Sequence, residues 1–209
     1  MLNRRHSVRS SKWFRRYFMD QYAQRARKYN LRSRSWFKLR EIDYSDSLFF
    51  SGMTVIDLGS SPGGWSSYAI KKIGTEGNVI ACDLMPMKKI SGVNFLQGDC
   101  ASSKILRELC VQTKFQKAQI VLSDMSPNIS GISVIDVNKS IYLGNIAIDI
   151  CCRTLIAGGS FVVKIFQGKN FDRYLYNVQS LFNIVKVRKP NASRFGSREV
   201  YIVAKKSKI

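Results

Sequence analysis

The chain has 209 residues, 45% of them apolar and 23% charged, which is enough to bury one full core. Thirty-four Lys and Arg against fourteen Asp and Glu give a formal net charge of +20. Charge of that sign attracts a polyanion, nucleic acid before a membrane surface, and makes the binding salt-dependent. No apolar run is long enough to cross a bilayer, and the basic start MLNRRHSVRSSKW lacks the apolar stretch of a signal peptide, so a soluble, cytoplasmic, monomeric protein is expected.

The five cysteines (Cys82, Cys100, Cys110, Cys151, Cys152) form no CxxC pair and read as reduced core thiols. The single histidine, His6, sits in a polar tail. That argues against His-based triads and His-rich zinc sites and leaves acid–base work to Lys, Asp, Glu or Tyr; no metal site is expected.

Residues 1–40 carry thirteen basic side chains and one acid, Asp20, interleaved with eight aromatics (Trp13, Phe14, Tyr17, Phe18, Tyr22, Tyr29, Trp36, Phe37). Two helices are expected, over 11–27 and 34–46, with Ser33 or Ser35 capping the second. Residues 1–48 thus form a basic helical extension. Its aromatics pack on the core and its arginines, Arg32, Arg34 and Arg40 among them, face phosphate. From residue 49 to 209 a single compact domain follows.

In that domain short apolar runs alternate with helical segments. Strands are predicted at 53–58, 78–83, 93–97, 118–124, 159–166, 184–189 and 199–205, and helices near 64–73, 101–113, 138–157 and 171–182. Such alternation builds an α/β fold, a mostly parallel sheet with helices on both faces, whose ligands bind beyond the C-terminal strand ends.

The first strand runs into a glycine turn, VIDLGSSPGGW (55–65). A phosphate-binding P-loop needs Lys and then Ser or Thr after the last glycine, where Trp65 and Ser66 stand. The spacing of Gly59, Gly63 and Gly64 does not match a dinucleotide turn either. Asp57, Asp83, Asp99 and Asp124 fall at or just after successive strand ends. Four acids around one crevice repel pyrophosphate and suit a ligand with cationic groups and a ribose, a description that S-adenosylmethionine meets.

After the fourth strand comes SDMSPNISG (123–131). It has no cysteine nucleophile for covalent cytosine methylation, and no Pro-Pro-aromatic signature for methylation of an adenine amine. Lys164 stands inside FVVKIF, a strand otherwise built for burial, and a buried ammonium needs a partner. Asp124 at the adjacent strand end is the candidate, holding a ribose 2'-hydroxyl in line with a sulfonium methyl.

The stretches SRSWFKL (33–39), DLGSSPGGW, ACDLMPM (81–87), FLQGD (95–99), SDMSPNISG, GGSFVVKIFQG (158–168) and SREVYIVA (197–204) together resemble the FtsJ/RrmJ family of ribose methyltransferases, from about Ser11 to Ala204. Ser60, Ser61 and Ser126 stand where that family often has alanine. The resemblance implies a Rossmann-like methyltransferase sheet of seven strands, the last antiparallel. It implies a catalytic tetrad of Lys38, Asp124, Lys164 and Glu199, and S-adenosylmethionine contacts at Gly63, Trp65, Asp83, Asp99 and Asp124. The implied substrate is a uridine ribose in the A-loop of 23S ribosomal RNA, presented on the large subunit. A tRNA or mRNA-cap ribose methyltransferase of the same superfamily, and a non-catalytic RNA-binding assembly factor, are the alternatives. Lys164 acts either as a general base or as a charged orienter of the hydroxyl.

Overall fold

The computed structural model describes residues 20–113, 117–194 and 196–209. Its elements in chain order are α1 (Gln21–Lys28), α2 (Ser35–Asp46), β1 (Thr54–Leu58), α3 (Gly64–Ile73), β2 (Asn78–Asp83), β3 (Val93–Gln97), α4 (Ser103–Gln112), β4 (Ala118–Ser123), α5 (Ser133–Thr154), β5 (Leu155–Phe166), α6 (Phe171–Leu181), β6 (Phe182–Arg188) and β7 (Glu199–Ser207). The strands form one seven-stranded sheet in the order β3-β2-β1-β4-β5-β7-β6, parallel from β3 to β5, with β7 antiparallel to both its neighbours.

Strand alternation divides the core in two. Ile56 of β1, Val121 of β4 and Val163 of β5 face α4, α5 and α6, packing with Leu109, Ile150 and Val178. Val55, Leu122 and Val162 face the other way, toward Leu39 and Ile42 of α2 and Trp65 and Ala69 of α3. Central strands covered on both faces read as continuous apolar runs, as MTVIDL and AQIVLS do. α2 is therefore part of the domain core although it lies in the basic extension. Asp46 at its end accepts a two-pronged bond from Arg188 of β6, both arms at 2.8 Å, and the Lys205 ammonium caps the Asp46 carbonyl at 2.7 Å.

Several boundaries differ from the sequence expectations. α5 begins at Ser133 instead of 138, because Asp136 receives the backbone N–H groups of Ser130 and Gly131 and closes the preceding loop into a first turn. β5 takes over at Leu155, whose register partner is Ala118. α2 starts after Arg34 with no side-chain cap, since Ser33 and Ser35 are hydrogen-bonded to each other at 2.6 Å. Of the first expected helix only Gln21–Lys28 is described, capped by Asp20, which accepts from the Ala23 N–H. Residues 11–19, with Trp13, Phe14, Tyr17 and Phe18, and His6 before them, lie outside the described residues. All five cysteines are free, but only Cys82 and Cys151 are buried, so the reading as core thiols holds for two of them. Among the described residues no helix is long and apolar enough to cross a membrane, and no group of three or more His, Cys, Asp or Glu could hold a metal ion.

Candidate active site

The same alternation that builds the α2/α3 face assembles the site. Asp57 follows Val55 by two residues, Asp83 follows Val79 by four, Asp124 and Lys164 each follow Leu122 and Val162 by two, and Glu199 precedes Tyr201 by two. All these side chains share the parity of the second core and emerge at its rim. α2 supplies the remaining member, since Lys38 lies one turn before Ile42 on the buried face.

Two ion pairs result. Lys164 Nζ lies 2.9 Å from Asp124 Oδ1 and donates to the Asp124 carbonyl at 2.6 Å. Lys38 Nζ lies 2.6 Å from Glu199 Oε1, an ion pair whose geometry is not that of an aligned hydrogen bond. Tyr201 joins them: its hydroxyl receives a hydrogen bond from Lys38 at 3.1 Å and donates to Asp124 Oδ1 at 3.1 Å. The structure therefore brings together Lys38, Asp124, Lys164 and Glu199, and adds Tyr201, which the sequence reading missed. The signal was present, because Tyr201 is the one side chain with a polar tip inside an otherwise aliphatic run of β7 and lies opposite Lys164 in the register.

Burial works against ionisation of Asp124, but Lys164 and then Lys38 outweigh it and hold the carboxyl below the usual carboxylate range. Glu199 is likewise held down, with Lys38 overcoming the effect of burial. Burial pushes the Tyr201 phenol well up, helped by Asp124 and Glu199, so it stays a donor.

The glycine turn abuts this group. Gly59, with φ +73°, approaches the Met125 backbone so closely that a Cβ would lie 2.8 Å from it. A Cβ on Gly64 would lie 2.2 Å from Ser33 Oγ and 2.4 Å from Ser35 Oγ, so this glycine admits the start of α2. Asp83 fixes the turn, accepting from the Ser61 and Met85 N–H groups at 2.8 Å each, and the outward-facing Asp99 accepts from Ala101 at 2.9 Å. Asp57 is fully buried. Its Oδ2 accepts from Ser66 at 2.6 Å, while Oδ1 is buried with no hydrogen-bond partner, as is Ser60 Oγ. Burial pushes the Asp57 carboxyl up to about 7; the Ser66 hydrogen bond opposes that shift, and Asp124 and Asp83 add to it. An orphaned buried acceptor among carboxylates fits a ligand with cationic groups.

Other expected contacts are placed differently. The Trp65 indole is 2% exposed, stands 5.7 Å from the Tyr201 ring and donates to the Ser35 carbonyl, so only its backbone is left to meet a ligand. Arg32 donates to the carbonyls of Pro62 at 3.2 Å and of Lys88 and Lys89 at 2.7 Å each, strapping the glycine turn to the loop after β2. Arg34 pairs with Asp20 and donates to the Ala192 carbonyl. Of the three arginines only Arg40 is exposed, its guanidinium 5.8 Å from the Trp36 ring centre.

A sheet of this order with an antiparallel β7, carrying acids at the ends of β1, β2 and β4, defines a Rossmann-like methyltransferase. Residues 31–207 match the FtsJ-like methyltransferase family. The ribosomal RNA large subunit methyltransferase E of Blochmanniella floridana is 63% identical over 190 residues, 91% of this chain and 92% of the relative. The protein of the same name from Blochmanniella pennsylvanica (strain BPEN) is 55% identical over 208 residues, 100% of both chains. The crystal structure of a putative ribosomal RNA methyltransferase from Plasmodium falciparum superposes with a TM-score of 0.76 at 24% identity, covering 84% of this chain and 98% of that one. The chain belongs to the FtsJ-like methyltransferase family, and it is an enzyme that transfers methyl groups.

Proposed function

We propose that the protein transfers a methyl group from S-adenosylmethionine to the ribose 2'-hydroxyl of a uridine in the A-loop of 23S ribosomal RNA, presented on the large subunit. The observation that carries this reading is the Lys164–Asp124 pair at 2.9 Å, at the ends of adjacent strands. The names of its relatives support ribosomal RNA as the substrate class, and a net charge of +20 suits it.

When bound, S-adenosylmethionine supplies an activated methyl on a sulfonium. Asp83 and Asp99 suit its ribose and adenine, and Asp57 suits its cationic end, with the backbone of Gly63 and Trp65 closing the turn around it. The tetrad handles the acceptor. Two of the three positions on Lys164 Nζ are committed to Asp124 Oδ1 and the Asp124 carbonyl, which leaves the third for the acceptor. A lone pair there removes the hydroxyl proton; an N–H there orients an oxygen lone pair toward the methyl. Lys38, paired with Glu199, adds positive charge beside the oxygen.

The test uses large subunits lacking the modification, methyl-labelled S-adenosylmethionine and the purified protein, followed by digestion of the RNA to nucleosides. Label in 2'-O-methyluridine from the A-loop supports the reading. Label in a base, or none, defeats it.

A further inference from the structure

We infer that the cavity between the loop after β4, the first turn of α5 and the segment before β7 receives the base of the nucleotide being methylated. This rests on the reading of the site as a ribose methyltransferase. The cavity measures about 270 Å³ and is lined by Ile129, Ser133, Val137, Phe166, Ser197 and Arg198 among others. That is the scale of one splayed-out base and too small for a duplex.

Its position follows from the strands. Phe166 lies two residues beyond Lys164 on the same face of β5, about 7 Å further along at the rise of an extended chain. Glu199 is the register partner of Phe166, and Ser197 and Arg198 immediately precede it. Asp57, Asp83 and Asp99, which suit the methyl donor, stand on the β1–β3 half of the sheet, across the Lys164–Asp124 pair from the cavity. In-line transfer brings the acceptor from the side opposite the donor, so a 2'-hydroxyl at Lys164 directs its base toward β5 and β7.

The lining has the chemistry of a base site. Ile129, Val137 and Phe166 present apolar surface for a ring to lie against. Asp136 is the acid in the wall, and both its oxygens are engaged by the loop: Oδ1 by the Ser130 N–H and hydroxyl at 2.8 and 2.7 Å, Oδ2 by the Gly131 N–H at 3.2 Å. That arrangement pins the loop and leaves Ile129 63% and Ile132 58% exposed, an apolar rim on a highly charged protein. Arg198 is exposed, and its guanidinium has no hydrogen-bond partner among the described residues. With the Ser133 and Ser197 hydroxyls it offers donors, which complement the two carbonyl oxygens of a uracil ring.

The experiment compares kcat/KM of the wild type, Ile129→Ser and Arg198→Ala on reconstituted large subunits. Their RNA carries either the normal nucleotide or an abasic ribose with an intact 2'-hydroxyl at the methylated position. The abasic substitution is expected to slow the wild type by roughly ten- to a hundredfold, the scale of base stacking in single-stranded recognition. Each variant is expected to be slowed on the normal substrate and to lose nothing further on the abasic one. Calorimetry of cofactor binding, unchanged in both variants, shows that they fold. Normal wild-type turnover of the abasic ribose, or variants that lose the same factor on both substrates, overturns the inference. Methyl placed anywhere but on the ribose oxygen overturns the parent reading, and this one with it, and is seen in the wild-type product before any variant is compared.

Discussion

Lys164 of β5 and Tyr201 of β7 are register partners across an antiparallel pair, and both reach Asp124 Oδ1, at 2.9 and 3.1 Å. The Tyr201 hydroxyl also receives the Lys38 ammonium, so one phenol sets the spacing between two ion pairs. Tyr201→Phe keeps the ring against Trp65 and removes that spacer. Losing a hydrogen bond at a buried charged pair costs about 1–3 kcal/mol. We expect kcat to fall roughly tenfold with cofactor affinity within twofold of the wild type, measured by single-turnover methylation and calorimetry. Unchanged kcat would show that the pairs hold their places without it.

At Lys164 itself, replacement by Met removes both the donor and the charge and leaves Asp124 unpaired. A fall in kcat of roughly a thousandfold or more is expected. Lys164→Arg keeps the charge without an accessible lone pair. Turnover within tenfold of the wild type in that variant identifies charge steering; a loss equal to that of the Met variant identifies proton removal.

Asp57 makes stability depend on pH. A carboxyl pushed up to about 7 in the folded protein from an ordinary 3.8 holds its proton more tightly folded than unfolded. Its contribution is therefore complete below 3.8 and is lost as pH climbs through 7. Asp57→Asn keeps an oxygen for Ser66 and cannot ionise. Without cofactor, its melting temperature should exceed that of the wild type by several degrees at pH 8, and the gap should narrow as pH falls through 7 and close only near 3.8. Parallel profiles for the two proteins would refute this.

The extension's arginines divide by what they touch. Arg32→Ala releases three backbone carbonyls around the glycine turn, so cofactor affinity should fall roughly tenfold while RNA affinity changes little. Arg40→Glu alters an exposed guanidinium. RNA binding should weaken and the slope of log affinity against log salt should drop by about one to two, with cofactor affinity unchanged. The two titrations on each variant check this, and RNA loss at Arg32 without cofactor loss would reverse the assignment.

Much of this site was readable in the chain because strand alternation has a fixed period. Once MTVIDL and FVVKIF are strands, Asp57 and Lys164 fall on definite faces, and an ammonium in an aliphatic strand demands a carboxylate nearby. The use of Arg32 was not readable, since its acceptors are carbonyls fifty-six and fifty-seven residues away, and any residue has a carbonyl. The early start of α5 escaped for a related reason. Asp136 closes the loop with backbone N–H groups that carry no sequence signature. A contact of Trp65 with the ligand is implied by its place in a motif, whereas the burial of its indole follows from packing against α2 and Tyr201.

The contact of Gly64 with Ser33 and Ser35 bears on how such enzymes can be recombined. The helix that delivers Lys38 and the glycine turn after β1 are seated on each other with no room for one methyl group between them. A chimera that exchanges the basic extension for another protein's, while keeping the turn, must match side-chain bulk at positions 33 and 35 or lose both halves of the machinery together. The basic extension and the glycine turn of this chain are for that reason inherited as one unit.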